Sequence, residues 1–483
     1  MEAYVTFIPQ KDSVFSPFGD QIGVKLKPIV YVKATYGVTS QCETFTATGG
    51  GVTTTNGDFV LTTGTSVGGY GVLWSRQPIV YQPGVGIEAR GTARFTAGVA
   101  SSIQTWGLFS SLDGMFFGYN GTSFGIMHRQ YGELEIRTLT VTAGSGGAAT
   151  VTVTLNGVAY TASITAGTTT KNAHEIEAGL NAGSAASLWN IQHIGSTVVF
   201  VYKGAGAKSG AYSATPSAGT FAGTFSQVKA GAEPTETWTA KESWNADTAT
   251  WLDPTKTNLF KVEFAYLGYG PLNYYIFNPS SKKWALVHSI PWSNAYTRPN
   301  FTNPSMRIGW VAASLGGTTN LTVAGANSSA FLQGDRFDGR PFAAYGTATG
   351  VTTATQVLTI QVRREYGSRS CDAVLRPTRI SVSTDSTKGA VFKVYRNPTV
   401  AGTTAHAYVD QTESIALYDT AGTTVSGGRI LTAITVGPSG TGSIDMASLG
   451  AVLIAGDELV ITGAVTSGAA SQMDATVTWE EIV

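Results

Sequence analysis

Asp113, Glu133 and Glu135 are the carboxylates whose spacing could serve glycan hydrolysis. That reaction needs one carboxyl to protonate the leaving oxygen and a second to act on the other side of the sugar. The three stand among turn residues, so solvent-facing roles are expected instead. Of the five histidines, His128 and His288 close apolar strand runs and would approach one another if their stretches share a domain. A hydrogen-bonded structural pair is then expected rather than an acid–base pair. His174 falls on the surface of a predicted helix, His193 near a strand start and His406 in a Thr/Ala loop. Nucleophilic catalysis would need a Ser or Cys beside a positioned His, and no such arrangement is expected. Catalytic, cofactor-binding and metal-ligating residues are therefore expected to be none.

Two further groups could bind rather than react. Arg363, Arg364 and Arg369, near Arg376 and Arg379, surround Glu365 and Tyr366. Arginine beside an aromatic ring can grip phosphate, but in a neutral chain with an embedded Glu these are expected to pair with other subunits. Tyr266, Tyr269, Tyr274, Tyr275, Trp284, Trp292 and Tyr296 crowd together, interleaved with Asn273, Asn278, Asn294 and Asn300. Alternation assigns most of them to a core. Aromatic faces beside amides also suit sugar rings, so Tyr269, Tyr275, Trp284, Trp292 and Tyr296 are the candidate glycan-binding residues.

The elements that must hold these groups are strands. Thr, Val, Tyr and Phe alternate in short runs separated by Gly, Asn and Pro. The 483 residues suggest two to four domains. The expected fold is mainly β and multidomain: a β-sandwich interrupted by a small α+β insert, then a C-terminal β-sandwich-like domain. Residues 1–40 read as an N-terminal arm with Phe15 and Phe18 as assembly contacts. Residues 41–136 and 237–335 read as one discontinuous sandwich, since neither half has strands enough to close alone. Residues 137–236 read as the insert, 336–344 as a linker and 345–483 as the last domain. In the insert, Asn156-Gly157 predicts a hairpin turn, as Asn120-Gly121 does in the sandwich. A helix is predicted from about Ala173 to Ala182, with Ile176 and Leu180 on its buried face and Asn172 as its cap.

Lysine plus arginine equal aspartate plus glutamate at 31 each, and charged residues are 13% of the chain, about half the usual share. Such a chain has no long-range field to draw nucleic acid or an anionic membrane. It suits an assembly whose neighbours cover its surface. No membrane-spanning run and no leader peptide are expected. Cys42 and Cys371 read as buried small hydrophobes, a mutual bridge being the alternative.

Several stretches resemble a family of virion surface proteins found in tailed phages and some large DNA viruses. They are Thr62-Thr63-Gly64-Thr65-Ser66-Val67-Gly68, Tyr81-Gln82-Pro83-Gly84-Val85-Gly86, Ala93-Arg94-Phe95-Thr96, the run from Phe116 to Ile126, Leu267-Gly268-Tyr269-Gly270 and the run from Asn303 to Trp310. The resemblance implies a lectin-like (concanavalin-like) sandwich and a particle component, and it carries over no catalytic residue. The expected function is that of a non-enzymatic virion structural protein on the outer surface of head or tail. Its partners would be other virion proteins, sister copies in a homo-oligomer (a trimer favoured) and host cell-surface glycan, with no nucleic acid, membrane insertion or cofactor. The alternatives are a glycan-active hydrolase on the particle and a bacterial surface adhesin.

Overall fold

A computed structural model describes residues 14–15, 21–22, 26, 28–334, 339–402 and 404–483. They form a mainly β protein with one α-helix among the described residues. The chain divides into two compact units, residues 1–131 with 234–337, and residues 132–233 with 338–483.

The first unit is a two-sheet antiparallel sandwich. One sheet orders its strands Thr235–Ala240, Ser123–Gln130, Gly114–Asn120, Ser102–Phe109, Arg307–Ser314, Tyr70–Ser75 and Cys42–Ala47. The other runs Lys283–Ile290, Leu272–Asn278, Asn258–Phe264, Gly86–Phe95, Thr322–Gly325, Asp58–Thr62 and Gly51–Thr55, with Asn327–Gln333 also on Gly86–Phe95. In both sheets strands from before residue 131 are hydrogen-bonded to strands from after residue 234, so each half supplies edges that the other half pairs. Alternating apolar residues of both sheets meet in one core. Trp106 of the first sheet stacks on Phe260 of the second at 6.0 Å, and Phe117 packs on Phe260 at 4.9 Å and Tyr274 at 5.5 Å.

Two glycines make room for the largest rings. A Cβ on Gly91 would lie 2.4 Å from Trp106 Nε1, and one on Gly325 would lie 2.5 Å from Trp310 Nε1. With those side chains absent, the buried indoles reach partners: Trp106 Nε1 donates to Ser328 Oγ (3.2 Å) and Trp310 Nε1 to the Thr92 carbonyl (2.9 Å). Losing either ring would cost about 3–5 kcal/mol.

The expected arm needs correction within the described residues. Pro28–Lys33 is a strand paired with Asn327–Phe331, and its Val30 and Val32 enter the core. Phe18 lies outside the described residues, and Phe15 is described only as backbone, in a two-residue strand paired with Gln21–Ile22. The hairpin expected at Asn120-Gly121 forms one residue later. Asn120 pairs with Ser123, and Gly121, at φ +59°, opens the two-residue turn, as a glycine-first hairpin turn requires.

The second unit holds two cores. In residues 132–233, the sheet Trp189–Ile194, Thr197–Ala205, Leu134–Ala143, Ala222–Lys229 and the smaller sheet Val158–Ile164, Ala149–Leu155, Ser213–Pro216 enclose a core with Trp189 and Phe200. The Asn156-Gly157 turn closes its hairpin with both φ values positive (+53° and +81°). The helix spans Thr169–Ala182, four residues earlier than predicted, because Thr168 caps it by accepting from Lys171 N (3.2 Å). Threonine's low helix propensity hides that first turn. Asn172 is inside the helix and buried, where its Oδ1 accepts from Ser145 N (2.7 Å); Ile176 and Leu180 are buried as the spacing predicts.

Residues 339–483 form a four-stranded sheet (Arg340–Val351, Ser471–Ile482, Val374–Thr384, Thr441–Asp445) and a six-stranded sheet around Thr355–Val362 and Glu458–Val465. The expected linker 336–344 is corrected in part. Residues 336–338 lie outside the described residues, while Arg340 to Ala344 already pair with Ser471–Ile482, and Phe342 stacks on the buried Trp479 at 6.4 Å. The two portions of this unit are stitched by Gln192. Its Nε2 donates to Gln361 Oε1 (2.6 Å) and the Val362 carbonyl (3.2 Å), and its Oε1 accepts from Arg364 N (2.9 Å). Among the described residues no helix is long and apolar enough to cross a membrane.

Candidate functional site

Two loops of the first unit build an aromatic platform. The turn at residues 265–271 is tied to residues 297–301. Tyr266 Oη donates to the Phe301 carbonyl (2.7 Å), Asn300 N to the Gly268 carbonyl (2.9 Å) and Asn300 Nδ2 to the Gly270 carbonyl (2.9 Å). Trp292 is buried beneath, 2% exposed, with Nε1 donating to the Arg298 carbonyl (2.7 Å). Tyr296 lies flat on it, ring centroids 3.9 Å apart and planes 18° from parallel, yet is 51% exposed. Tyr269 is also exposed and donates to the Thr297 carbonyl (3.2 Å), while the Arg298 guanidinium covers the Tyr131 ring at 4.1 Å. Burial raises the Tyr131 phenol above its ordinary range, with Arg298 opposing it and the neighbouring Tyr269 and Tyr296 adding to it. Below the floor, His128 meets Trp292 edge-on at 5.3 Å, and its Nε2–H donates to the Asn300 carbonyl (3.0 Å). Burial pushes His128 down to about 4, against that hydrogen bond, so the ring is neutral at neutral pH.

Of the five glycan candidates, Tyr269, Trp292 and Tyr296 come together here, with Trp292 as floor rather than contact surface. Tyr275 and Trp284 lie elsewhere, on neighbouring strands of the second sheet. Lys261 Nζ sits 3.8 Å from the Tyr275 ring centroid, and Tyr275 Oη donates to Glu263 Oε1 (2.5 Å). Around them is a buried charge network. Glu88 and Glu263 oppose each other across strands, Lys261 Nζ approaches both (3.8 and 2.9 Å), Gln333 Nε2 donates to Glu88 (3.2 Å), and Arg90 is hydrogen-bonded to Glu88.

The expected solvent-facing carboxylates are corrected. Asp113, fully buried, accepts from Thr302 N and Asn303 N (2.9 Å each). Glu135, 1% exposed, accepts from Arg137 (2.7 Å), Gln227 (2.7 Å) and Gly231 N (2.8 Å). Each satisfies backbone or side-chain donors that turns would otherwise leave unpaired. Glu133 pairs with Lys229 at 3.2 Å. His128 and His288 do not bond to each other; His288 Nδ1 accepts from Asn245 N (3.3 Å). The spacing Gly-x-Ser-x-Gly occurs twice, at Gly64–Gly68 and Gly121–Gly125. Neither sits on the strand-to-helix turn that a nucleophile elbow requires, and Ser123 Oγ accepts from Trp238 Nε1 (3.3 Å).

Arg363, an expected assembly contact, is turned inward: 4% exposed, it donates to the Gln411 (3.0 Å) and Ser414 (3.2 Å) carbonyls. Arg364 reaches Asn190 Oδ1 (3.2 Å), and Arg369 is exposed on a short hairpin with Glu365. Both cysteines are free, and burial pushes Cys42 up to about 11 and Cys371 up to about 12. An open groove of about 420 Å³ in the second unit is lined by Tyr345, Arg379, Ser383 and Asp474. Its Asp474 carboxylate is engaged by Tyr345, Thr347, Ser383 and Gln472 at 2.8–3.0 Å.

The sequence reading missed one constellation. In the second unit, ligand atoms of His174, Glu177 and His193 lie within 4.8 Å of one another. His193 Nδ1 is hydrogen-bonded to Glu177, and its Nε2–H donates to the Thr404 carbonyl (3.1 Å); Thr404 Oγ1 bonds His174 Nδ1 (2.8 Å). Burial opposes both charges of the His193–Glu177 pair, but their mutual attraction outweighs it, raising His193 and lowering Glu177. The His406 ring is 4.9 Å from that of His193. It is 4% exposed, and neither of its ring nitrogens has a hydrogen-bond partner.

The class defined by strand pairing is a mainly β, multidomain protein whose first unit is a two-sheet sandwich. Among solved structures, the chain is similar to the VIP36 exoplasmic/lumenal domain in its Ca2+/Man3GlcNAc-bound form, at 12% identity and a TM-score of 0.27, over 65% of this chain and 92% of that one. It is similar also to a legume lectin-like domain from Entamoeba histolytica, at 6% identity and a TM-score of 0.25, over 60% and 89%. No protein-family model and no curated protein matches the sequence.

Proposed function

We propose that this chain is a non-enzymatic structural and attachment subunit on the outer surface of a virus particle, and that its first unit holds host-surface glycan on the Tyr296–Tyr269 platform. The observation that carries the reading is the Trp292–Tyr296 stack, an exposed phenol ring held flat by a buried indole. A ring already pinned loses little freedom when the C–H face of a sugar covers it. Tyr269, Tyr131 and Arg298 offer hydroxyl and guanidinium groups to the sugar's edges. The neutral, weakly charged composition supports a surface covered by other virion proteins and by sister copies. A trimer would present three weak sites at once, and linked sites gain effective concentration. The virion placement rests on the motifs from Thr62 to Gly68 and from Phe116 to Ile126, among others, and no cofactor is required.

A glycan array probed with the full chain, followed by titration of the best ligand, tests this. Tyr296→Ala should bind about tenfold more weakly. Unchanged binding by that variant, or turnover of the glycan by the native chain, overturns the reading. Turnover would favour a hydrolase, for which Glu88 and Glu263 are the opposed carboxylates. Lys261 and Gln333 already occupy the lone pairs such a pair would need free.

A further inference from the structure

The geometry points to a divalent transition-metal site of zinc type in the second unit, built by His174, Glu177, His193 and His406. His174 and Glu177 are three residues apart on the helix Thr169–Ala182 and so share one face. His193 comes from the strand Trp189–Ile194, and His406 from the loop before the short strand Ala407–Tyr408. The first three already hold their ligand atoms within 4.8 Å of one another. Tetrahedral ligands at zinc bond lengths stand about 3.4 Å apart, so closing these three needs movements of about 1 Å, and His406, outside that group, must swing in further as the fourth.

The surroundings are those of oriented ligands. A metal-binding imidazole uses its second nitrogen on a carbonyl or carboxylate, which fixes tautomer and tilt. His193 does so with Nε2–H on the Thr404 carbonyl, leaving Nδ1 toward Glu177. Thr404 also serves His174 through its hydroxyl, so one residue orients two rings. His406 supplies an independent pointer. A neutral imidazole has one donor and one acceptor, and here both are buried without a partner, against the ring of His193. A cation among the four side chains would take the His406 lone pair, which falls to Nδ1 because Nε2 is the nitrogen beside Glu458. The opposite nitrogen, Nε2, already lies 4.0 Å from Glu458 Oε1, the outer carboxylate that such a ligand uses.

Three imidazoles and one carboxylate, with no thiolate and few oxygens, select zinc or a neighbouring first-row ion over calcium or magnesium. Four protein ligands leave no open position. The site is therefore structural: it clamps the helix and Trp189–Ile194 to residues 404–406. It stands independently of glycan binding by the first unit.

The full chain, stripped with a chelator and desalted, is titrated with zinc chloride by calorimetry and with cobalt chloride by visible absorption. One equivalent of each should bind, the cobalt spectrum having the intensity of a four-coordinate ion, with no response to calcium chloride. His174→Gln, at the less buried corner, and His406→Leu should each weaken zinc on the order of 100-fold; two variants at separate corners guard against a misfolded one. Absence of saturable zinc binding, a weak six-coordinate cobalt spectrum, or native affinity in either folded variant overturns the site.

Discussion

The platform over Trp292 and the cluster around His193 are both built on ring contacts, stacked at 3.9 Å in one and edge-on at 4.9 Å in the other, and they end in opposite states. Beneath the platform, Trp292 and His128 each spend a ring N–H on a backbone carbonyl. With those ring donors satisfied, the floor rings ask for nothing more, although Asn300 Oδ1 beside them is buried without a partner, and Tyr296 and Tyr269 stay exposed above them for an outside partner. In the histidine cluster the exposure is reversed: His193 and His406 are buried, and both His406 ring nitrogens lack a hydrogen-bond partner. Buried polar atoms without partners are costly. A satisfied floor offers a surface; an unsatisfied interior asks for a ligand.

The largest break in this contrast comes from the floor. Trp292→Ala should destabilise the first unit by about 4 kcal/mol and remove glycan binding, because Tyr296 then has nothing to lie on. Hydrogen exchange read residue by residue should show the loss in the first unit while the amides of the helix Thr169–Ala182 keep their protection. A loss spread equally over both units would mean that the platform is not a local construction.

A smaller effect follows from pH. His128 is held at about 4 in the folded chain, below its unfolded value near 6.5. The unfolded chain therefore binds the proton first. The stability contributed is fully present above about pH 6.5 and is lost as pH falls through the folded value. Between pH 7 and 4.5 the native first unit should lose about 2 kcal/mol more than His128→Gln does, read from denaturant midpoints. His288 is shifted the same way by burial and adds to the slope in both proteins. Equal slopes would place His128 in contact with water and the floor open rather than dry.

Local pattern made the strands legible in the sequence, and long-range pairing was not. Alternation and turn residues located the hairpins around Asn120 and Asn156 and the buried face of the helix. Prolines misled at two strand starts: Pro28 and Pro341 suggested an arm and a linker, but a proline near the end of a strand breaks little of the ladder. Trp292 was legible as a candidate and not as a floor, since loop residues carry no period that tells inside from outside. The histidine cluster had only one local trace, the three-residue spacing of His174 and Glu177. His193 and the Thr404 that orients it are 211 residues apart, and nothing in composition or period joins them.

The finest test of the contrast is a substitution that should help one region by removing what the other region has. His406→Leu deletes both unpartnered nitrogens and keeps a similar apolar volume. The loop stays anchored, because the bond from Gly195 N to the residue 406 carbonyl (2.9 Å) is backbone. Replacing unsatisfied buried polar atoms by apolar ones is neutral to stabilising. In chelator-treated protein the second unit should therefore gain about 1 kcal/mol, whereas adding zinc chloride should stabilise the native chain and leave the variant unmoved. Calorimetric melts with and without zinc separate the two contributions. A variant less stable than the native chain without metal would mean that His406 already has its partner within the protein, and the two regions would then differ only in depth.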